Sequence, residues 1–246
     1  NSLEPEEKRA VLKAAVEVAA GRVPIITGVS ELTTPRAERY AKDAEDIGVD
    51  ALMVLPAMVY MPTAEELEAH FRAVAAASSL PIMLYNNPTM YRIALTNADL
   101  KRLSDVPNIV ALKESAPDSR RITDILNELG DRYAVMVGLD DVALEGMMLG
   151  ARGWVSGLTN AFPEESVALV RAVKDGDLVA LPDGNYTTKK MLGSEMWALD
   201  QVRAQKGQTP KMMEPEAVAA RIAQAEGRQG FKYSEGQKEA ISKVLT

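Results

Sequence analysis

Six short apolar segments alternate with amphipathic segments, and this alternation limits the fold more than any other feature of the sequence. The apolar segments are VPIITGVS (23–30), ALMVLP (51–56), PIMLYNNP (81–88), IVALKES (109–115), YAVMVGLD (133–140) and GWVSGL (153–158). Helical patterns cover residues 5–20, 33–47, 64–77, 97–103, 120–129, 142–149 and 163–174. Strands that alternate with helices predict an α/β fold with a parallel sheet.

Such a sheet either closes into a (β/α)8 TIM barrel or stays open as a doubly wound sheet. No G-x-G-x-x-G motif or P-loop lysine follows a strand, which argues against an open-sheet nucleotide binder. Polar residues instead cluster at the carboxyl ends of the strands: Thr27, Ser30, Tyr85, Asn86, Lys113, Glu114, Asp140, Asp141, Ser156 and Thr159. In a barrel these ends meet at one rim, where active sites form, so we predict a barrel.

The segment IVALKES is predicted to form a buried strand with Lys113 near its carboxyl end. Apolar surroundings disfavour a charged ammonium, so the free amine becomes available to attack a carbonyl and form a Schiff base. A lysine at a strand end also commonly extends its ammonium into solvent. The motifs around Lys113 favour the reactive interpretation.

Composition excludes several other kinds of site. The sequence has no cysteine and a single histidine, His70, so thiolate chemistry, a histidine metal site and a Ser-His-Asp triad are not expected. No apolar run is long enough to span a membrane, and residues 1–5 lack signal-peptide character, so we expect a cytoplasmic protein. The net charge of −7 argues against nucleic-acid binding.

Four motifs together resemble the dihydrodipicolinate synthase and N-acetylneuraminate lyase family of class I (Schiff-base) aldolases. They are YNNP (85–88), the lysine of IVALKES, GLDD (138–141) and GWVSGLTNAFP (153–163). The resemblance implies that Lys113 forms an imine with a 2-keto acid or cyclic imino acid substrate and that Tyr85 relays protons. No metal or other cofactor is expected, because the imine itself withdraws electrons.

The resemblance also assigns substrate contacts at the rim: Thr27, Ser30, Tyr60, Asn86, Arg92, Asp140, Ser156 and Gly157. Glu114 either orients Lys113 or pairs with a neighbouring group. Asp140 and Asp141 have the alternative role of helix caps. We expect a homo-oligomer, either a dimer or a tetramer.

One position narrows the choice between candidate substrates. Dihydrodipicolinate synthases have an arginine five residues after the motif tyrosine, where it binds a substrate carboxylate; here that residue is Met90, and Arg92 is displaced by two positions. The segments GVSELTT, LPAMVY and YNNP resemble the branch that deaminates and dehydrates 4-hydroxy-pyrroline-2-carboxylate to 2-oxoglutarate semialdehyde. A dihydrodipicolinate synthase or another keto-acid aldolase is the alternative.

The family pattern has eight strands, and the sequence shows six. Two strands and a Gly-Thr-Thr-Gly-Glu motif that binds the substrate carboxylate precede, in the family, the segment that corresponds to NSLEPEEKRAV (1–11). An unclosed barrel exposes strand edges, and loss of the motif removes substrate positioning. We therefore expect this chain alone to be poorly active or inactive, and an inactive barrel that serves as an assembly module is an alternative hypothesis.

Residues 182–246 are predicted to form a helical appendage to a barrel domain at residues 1–181. The net charge is −9 in residues 1–181 and +2 in residues 182–246. Two segments of the appendage (186–210 and 231–246) resemble the region that precedes the P-loop in conjugative relaxase-helicases, with Gln237 as an adenine-contacting residue. Solvated amphipathic helices are the simpler interpretation, and a DNA-transfer accessory protein is the other.

Overall fold

The computed structural model describes residues 3–57, 60–180, 186–205 and 215–229, together with residues 232, 235, 238–239 and 241–242. The chain divides into two compact units, Asn1–Gly176 and Asp177–Thr246. The predicted domain boundary at residues 181–182 stays a prediction. None of the helices in the described part of the chain has both the length and the apolar character that a membrane crossing requires.

The first unit contains a parallel sheet whose six strands neighbour one another in chain order. Its strands are β1 (Ile26–Val29), β2 (Ala51–Val54), β3 (Ile82–Asn86), β4 (Ile109–Glu114), β5 (Ala134–Val137) and β6 (Gly153–Trp154). Its helices are α1 (Pro5–Ala19), α2 (Thr34–Ile47), α3 (Ala64–Ala77), α4 (Pro88–Tyr91), α5 (Asn97–Arg102), α6 (Arg120–Leu129), α7 (Ala143–Met148) and α8 (Pro163–Lys174). This α/β fold with a curled sheet is consistent with part of a TIM barrel.

The observed elements match the predicted ones closely in the middle of each segment and differ at the strand ends. Helices α3, α6 and α8 have the predicted bounds. The strands are shorter than predicted; β1, β5 and β6 each lack four of the predicted residues, and β6 ends at Trp154 rather than at residue 158.

The two faces of the sheet differ in burial because successive side chains in a strand point to opposite sides. One face packs against the helices, and its residues are fully buried, including Leu52, Val54, Leu84 and Leu112. The residues between them, such as Met53 and Met136, are half-buried on the other face. We call this second face the inner face.

A register shift between β3 and β4 decides which residues of β4 reach the inner face. Ile82 pairs with Ile109, but the next residue, Met83, pairs with Ala111, so Val110 is an extra residue in β4. A bulge of this kind changes which side the following residues face. Because of it, Ile109 and Leu112 both pack in the core, and Lys113 lies on the inner face.

Local signals in the sequence fix the helix ends. Thr63 caps α3 by accepting a hydrogen bond from the Glu66 backbone N–H, and the Glu66 carboxylate accepts one in return from the Thr63 N–H. Gly48 ends α2 with a left-handed φ of 95°, a conformation that glycine adopts at little cost.

The second unit contains an antiparallel hairpin in addition to helices. Strands β7 (Leu178–Ala180) and β8 (Tyr186–Thr188) pair with each other, and helices α9 (Lys189–Gln205) and α10 (Pro215–Gln229) follow. The prediction of a helical segment from residue 182 is therefore wrong for residues 186–188. The hairpin was missed because its strands are only three residues long.

His70 is a structural residue of the core. Its side chain is 4% exposed. Its Nε2 atom donates to the Leu55 carbonyl, and its Nδ1 atom accepts from the Thr34 hydroxyl, both at 3.0 Å. The ring thereby connects α3 to the start of α2 and to the end of β2. Burial lowers the pKa of His70, although the Leu55 hydrogen bond acts in the opposite direction.

The lowered pKa of His70 predicts acid-sensitive stability. In the unfolded chain a histidine binds its proton near pH 6.5, whereas folded His70 resists protonation until a lower pH. The contribution of neutral His70 to the free energy of unfolding is therefore fully present above about pH 6.5. It decreases as the pH falls below that value, by up to ~1.4 kcal/mol per pH unit. Urea unfolding at several pH values measures this effect. As the pH falls below about 6.5, the free energy of unfolding should decrease more steeply in the unmodified chain than in His70→Gln. Equal slopes would contradict this assignment.

Candidate active site

Strands β3 and β4 place Lys113 beside Tyr85. The two residues are direct partners in the register of the sheet, and both are half-buried on the inner face. The Lys113 Nζ atom lies 4.1 Å from the centroid of the Tyr85 ring. The structure therefore brings together the two residues to which the sequence assigns catalysis.

The Tyr85 phenol lies in an environment that favours its ionised form. Burial raises the pKa of Tyr85, but the Asn87 amide, the charge of Lys113 and the nearby Ser115 hydroxyl lower it, and the net pKa is below the ordinary value. The Asn87 Nδ2 atom donates to the phenol oxygen at 3.1 Å. A phenol with a lowered pKa is better suited to exchange protons near neutral pH.

Ser115 and Gly138 pack around Lys113, and neither is among the site residues that were predicted from the sequence. Ser115 is fully buried, and its hydroxyl makes no hydrogen bond within the described residues. The Gly138 N–H donates to the Glu114 carbonyl at 2.8 Å. A Cβ at position 138 would clash with Ser115 Oγ and lie 2.9 Å from Lys113 Cγ and Cε. The glycine of GLDD, immediately after a strand, was the available signal.

Asn86 and Glu114 form a buried pair on the face of the sheet opposite to Lys113. The Asn86 Nδ2 atom donates to both Glu114 carboxylate oxygens at 2.9 Å, and its Oδ1 accepts from the Leu95 N–H. The Asn86 side chain therefore lies on the face opposite to Lys113 and is bonded there to Glu114 and Leu95, so substrate binding by Asn86 stays a prediction that this position does not support. Its role is to hold the loop after β3.

Glu114 likewise binds neighbouring groups and not Lys113. Its carboxylate accepts from the Ala116 N–H at 2.8 Å and pairs with Arg121 at 3.4 Å. Burial raises the pKa of Glu114, although the bonds from Asn86, Ala116 and Arg121 lower it. Of the two roles that the sequence left open, the structure supports pairing with neighbouring groups.

Asp140, Ser156 and Gly157 lie together at the end of β6, as the rim prediction expected. Asp140 Oδ1 accepts from the Trp154 indole at 3.1 Å and the Gly157 N–H at 3.0 Å, and Oδ2 accepts from the Leu158 N–H at 3.0 Å. The Ser156 hydroxyl lies 3.4 Å from Asp140 and accepts from the Thr159 N–H. Asp140 therefore organises the turn after β6, and substrate binding by the three residues stays a prediction.

The other predicted contacts are not gathered around Lys113. Thr27 faces the helices, where its hydroxyl lies 3.0 Å from the buried Tyr40 hydroxyl, so its predicted substrate contact stays a prediction that this position does not support. The reason is the alternation of β1, which presents Ile26 and Gly28 on the inner face. Ser30 follows β1 and is half-buried. Tyr60 is 59% exposed and donates to Glu66 at 3.0 Å.

Arg92 lies at the exposed end of α4 with a left-handed φ of 57°. Its guanidinium has no ion-pair partner among the described residues. Within that same part of the chain, no group of three or more His, Asp or Glu side chains forms a candidate metal site.

Comparison with known proteins identifies the family. Residues 1–192 match the model of the "Dihydrodipicolinate synthetase family". The chain belongs to this family. The 4-hydroxy-tetrahydrodipicolinate synthase of Aquifex aeolicus is 36% identical over 173 residues, or 70% of this chain, and that of Exiguobacterium sibiricum is 35% identical over 196 residues, or 80%.

Solved structures of this family have the same fold. The dihydrodipicolinate synthase of Acinetobacter baumannii, solved in complex with pyruvate, is 35% identical, with a TM-score of 0.69 over 72% of this chain and 60% of that one. The synthase of Aquifex aeolicus is 28% identical, with a TM-score of 0.70 over 99% of this chain and 81% of that one. The second comparison includes the C-terminal unit.

The chain spans 59% of the length of the Aquifex aeolicus enzyme and 64% of that of the Exiguobacterium sibiricum enzyme.

The packing around Gly138 predicts that Gly138→Ala destabilises the protein by about 1–3 kcal/mol, because the methyl group overpacks the space beside Lys113 and Ser115. Gly28→Ala is the matched control, since the nearest atom to its Cβ would be Met53 Cε at 4.0 Å. We expect Gly28→Ala to change the free energy of unfolding by no more than about 0.5 kcal/mol.

The double variant Gly138→Ala/Ser115→Ala should recover part of the stability that Gly138→Ala loses, because it removes the hydroxyl with which the new methyl group clashes. Urea unfolding measures all three variants. Equal effects of Gly138→Ala and Gly28→Ala would disprove the close packing.

Proposed function

We propose that the protein is a class I lyase of the dihydrodipicolinate synthetase family that binds a 2-keto acid or cyclic imino acid as an imine of Lys113. The observation that carries the proposal is the position of the Lys113 amine, 4.1 Å from the Tyr85 ring centroid. In the reaction, the amine adds to the electrophilic carbon of the substrate. Loss of water from a keto-acid adduct, or opening of a cyclic imine, then gives an iminium ion.

The iminium withdraws electrons from the adjacent carbon, which can then lose a proton to leave an enamine. Tyr85 is the group beside Lys113 that can take that proton, and its lowered pKa favours the phenolate that accepts it. The Asn87 amide stabilises the same phenolate by donating to its oxygen. The buried Ser115 hydroxyl adds a polar group that a substrate could bond.

For the substrate, we propose the deaminase branch, which converts 4-hydroxy-pyrroline-2-carboxylate into 2-oxoglutarate semialdehyde and ammonia with net uptake of one water. Supporting this choice, Met90 stands where dihydrodipicolinate synthases have their carboxylate-binding arginine, and its side chain is 72% exposed. The second candidate is a 4-hydroxy-tetrahydrodipicolinate synthase, which the names of the relatives favour. A homo-oligomer also stays a prediction.

The relaxase-related interpretation of residues 182–246 stays a prediction. Gln237, on which it depends, lies outside the described residues. Single-stranded DNA binding with a steep dependence on salt would support it.

Borohydride trapping tests the imine. Treating the folded protein with pyruvate and borohydride should attach a reduced pyruvyl group to the peptide that contains Lys113, because reduction fixes the imine as a stable amine. Mass spectrometry of the digest measures it. Lys113→Ala should lose the adduct, whereas Lys101→Ala, which changes an exposed lysine on α5, should keep it. No adduct on folded protein would favour the inactive assembly module.

Ammonia release separates the two substrate candidates. Incubation with 4-hydroxy-pyrroline-2-carboxylate should release ammonia from the unmodified chain. Opening the cyclic imine on Lys113 leaves the nitrogen as a primary amine on C5. Loss of the 4-hydroxyl as water and a proton shift then convert that amine to an imine at C5, and its hydrolysis releases ammonia and leaves the aldehyde. Lys113→Ala should release none. A chain that gives the pyruvate adduct but no ammonia would favour the synthase candidate instead.

A further inference from the structure

The residues that follow Tyr85 and Lys113 form a second cross-strand pair, on the opposite face of the sheet. Asn86 and Glu114 are direct partners in the register of β3 and β4. Each of the two residues is 3% exposed. A buried carboxylate destabilises a fold strongly unless its oxygens are bonded to other groups. The groups that bond Glu114 therefore indicate its role.

Both carboxylate oxygens of Glu114 are bonded to groups on other parts of the fold. Its Oε1 atom accepts from the Ala116 N–H at 2.8 Å, and its Oε2 atom lies 3.4 Å from the Nε atom of Arg121 on α6. The Asn86 Nδ2 atom donates to both oxygens at 2.9 Å. Glu114 thus connects the end of β3, the turn after β4 and the start of α6.

The backbone of Leu95, in the segment between α4 and α5, completes this arrangement. Its N–H donates to Asn86 Oδ1 at 2.9 Å, and its carbonyl accepts from Arg121 Nη2 at 2.8 Å. Leu95 is 2% exposed, so these bonds are shielded from competing water. We call the side chains of Asn86, Glu114 and Arg121, with the Leu95 backbone, the buried network.

We propose that Glu114 is a positioning residue, whose carboxylate holds the ends of β3 and β4 through the buried network and so keeps the Lys113 amine beside the Tyr85 phenol. The proposal rests on the proposed function, since this geometry serves an imine of Lys113. It also gives a role to Asn86, the first asparagine of the YNNP motif, whose side chain lies on the face opposite to Lys113.

The position of the buried network at the strand ends explains why it affects the site. Strand β3 ends at Asn86 and β4 ends at Glu114, so the sheet restrains Tyr85 and Lys113 mainly from the preceding residues. The network restrains them from the other side, because each of its two strand residues follows a site residue directly in the chain. A misplacement of about 1 Å between reacting groups can slow a reaction about a hundredfold.

Exchanging the two partners tests the buried network. In Glu114→Gln an amide group replaces one acceptor oxygen, so that donors from Asn86 and from Ala116 or Arg121 meet another donor. In Asn86→Asp two carboxylates face each other. The double variant Asn86→Asp/Glu114→Gln restores the pairing, because the introduced carboxylate accepts from the Leu95 N–H and from the introduced amide. The carbonyl oxygen of that amide still accepts from the Ala116 N–H.

In deuterated water, NMR follows exchange of the methyl protons of pyruvate, which requires the enamine. Relative to the amount of borohydride adduct, exchange should be at least about tenfold slower in each single variant, and the double variant should recover most of the rate. Val74→Ala, a fully buried change on α3, is the control. It should lower the urea midpoint but keep the exchange rate per adduct at a temperature where all variants are folded. Unchanged exchange in Glu114→Gln, or a double variant as slow as the single ones, would overturn the proposal.

A measurement without substrate separates this proposal from the proposed function. The ultraviolet absorbance of phenolate, with Tyr85→Phe subtracted, gives the ionisation of Tyr85. Burial raises the pKa of Tyr85, whereas the charge of Lys113 lowers it, so displacing Lys113 in Glu114→Gln should move the ionisation to higher pH. Tyr91, whose ring also contacts Tyr85, is the same in every variant. If the unmodified protein forms no adduct, the proposed function fails. An unmoved titration in Glu114→Gln would refute the positioning role on its own.

Discussion

The register between β3 and β4 is the constraint on which the candidate site depends. Without the extra residue Val110, the alternation that buries Ile109 would direct Lys113 toward the helices, where Glu114 now lies. With it, Lys113 and Tyr85 face the inner side as direct partners, and Asn86 and Glu114 pair on the other side. Because of this one inserted residue, Lys113 lies on the inner face of the sheet and Glu114 lies on the face that packs against the helices.

Polar side chains at the strand ends mainly hold the loops that surround the site. Asn87 binds the Met90 N–H, Glu114 binds the Ala116 N–H, and Asp140 binds the Gly157 and Leu158 N–H groups. Each satisfies backbone donors where the chain leaves the sheet and has no strand partner. The proposed catalytic pair, Lys113 and Tyr85, is therefore surrounded by loops whose positions are fixed by hydrogen bonds, an arrangement that favours a defined geometry.

The sequence was sufficient to predict the parallel sheet, the helix bounds and the pairing of Lys113 with Tyr85, because these follow from periodicity and from four joint motifs. It could not assign faces within a strand. IVALKE is apolar until its last two residues and gives no sign of the bulge at Val110, and Thr27 and Asn86 were placed at the site because polar character does not show which way a side chain points. Ser115 was missed because its importance lies in close packing that the sequence does not show, and Gly138 because the glycine of GLDD was considered only as part of a family motif.

The placement of Tyr85 has a stereochemical consequence. The proposed imine of Lys113 would be planar and have two faces, and the Lys113 amine lies 4.1 Å from the Tyr85 ring centroid, while Gly138 and Ser115 pack along the lysine side chain. A prochiral carbon next to that imine would exchange its proton with Tyr85 from a single side. Any product with a new stereocentre at that carbon would then form as one enantiomer, set by the position of a single oxygen atom.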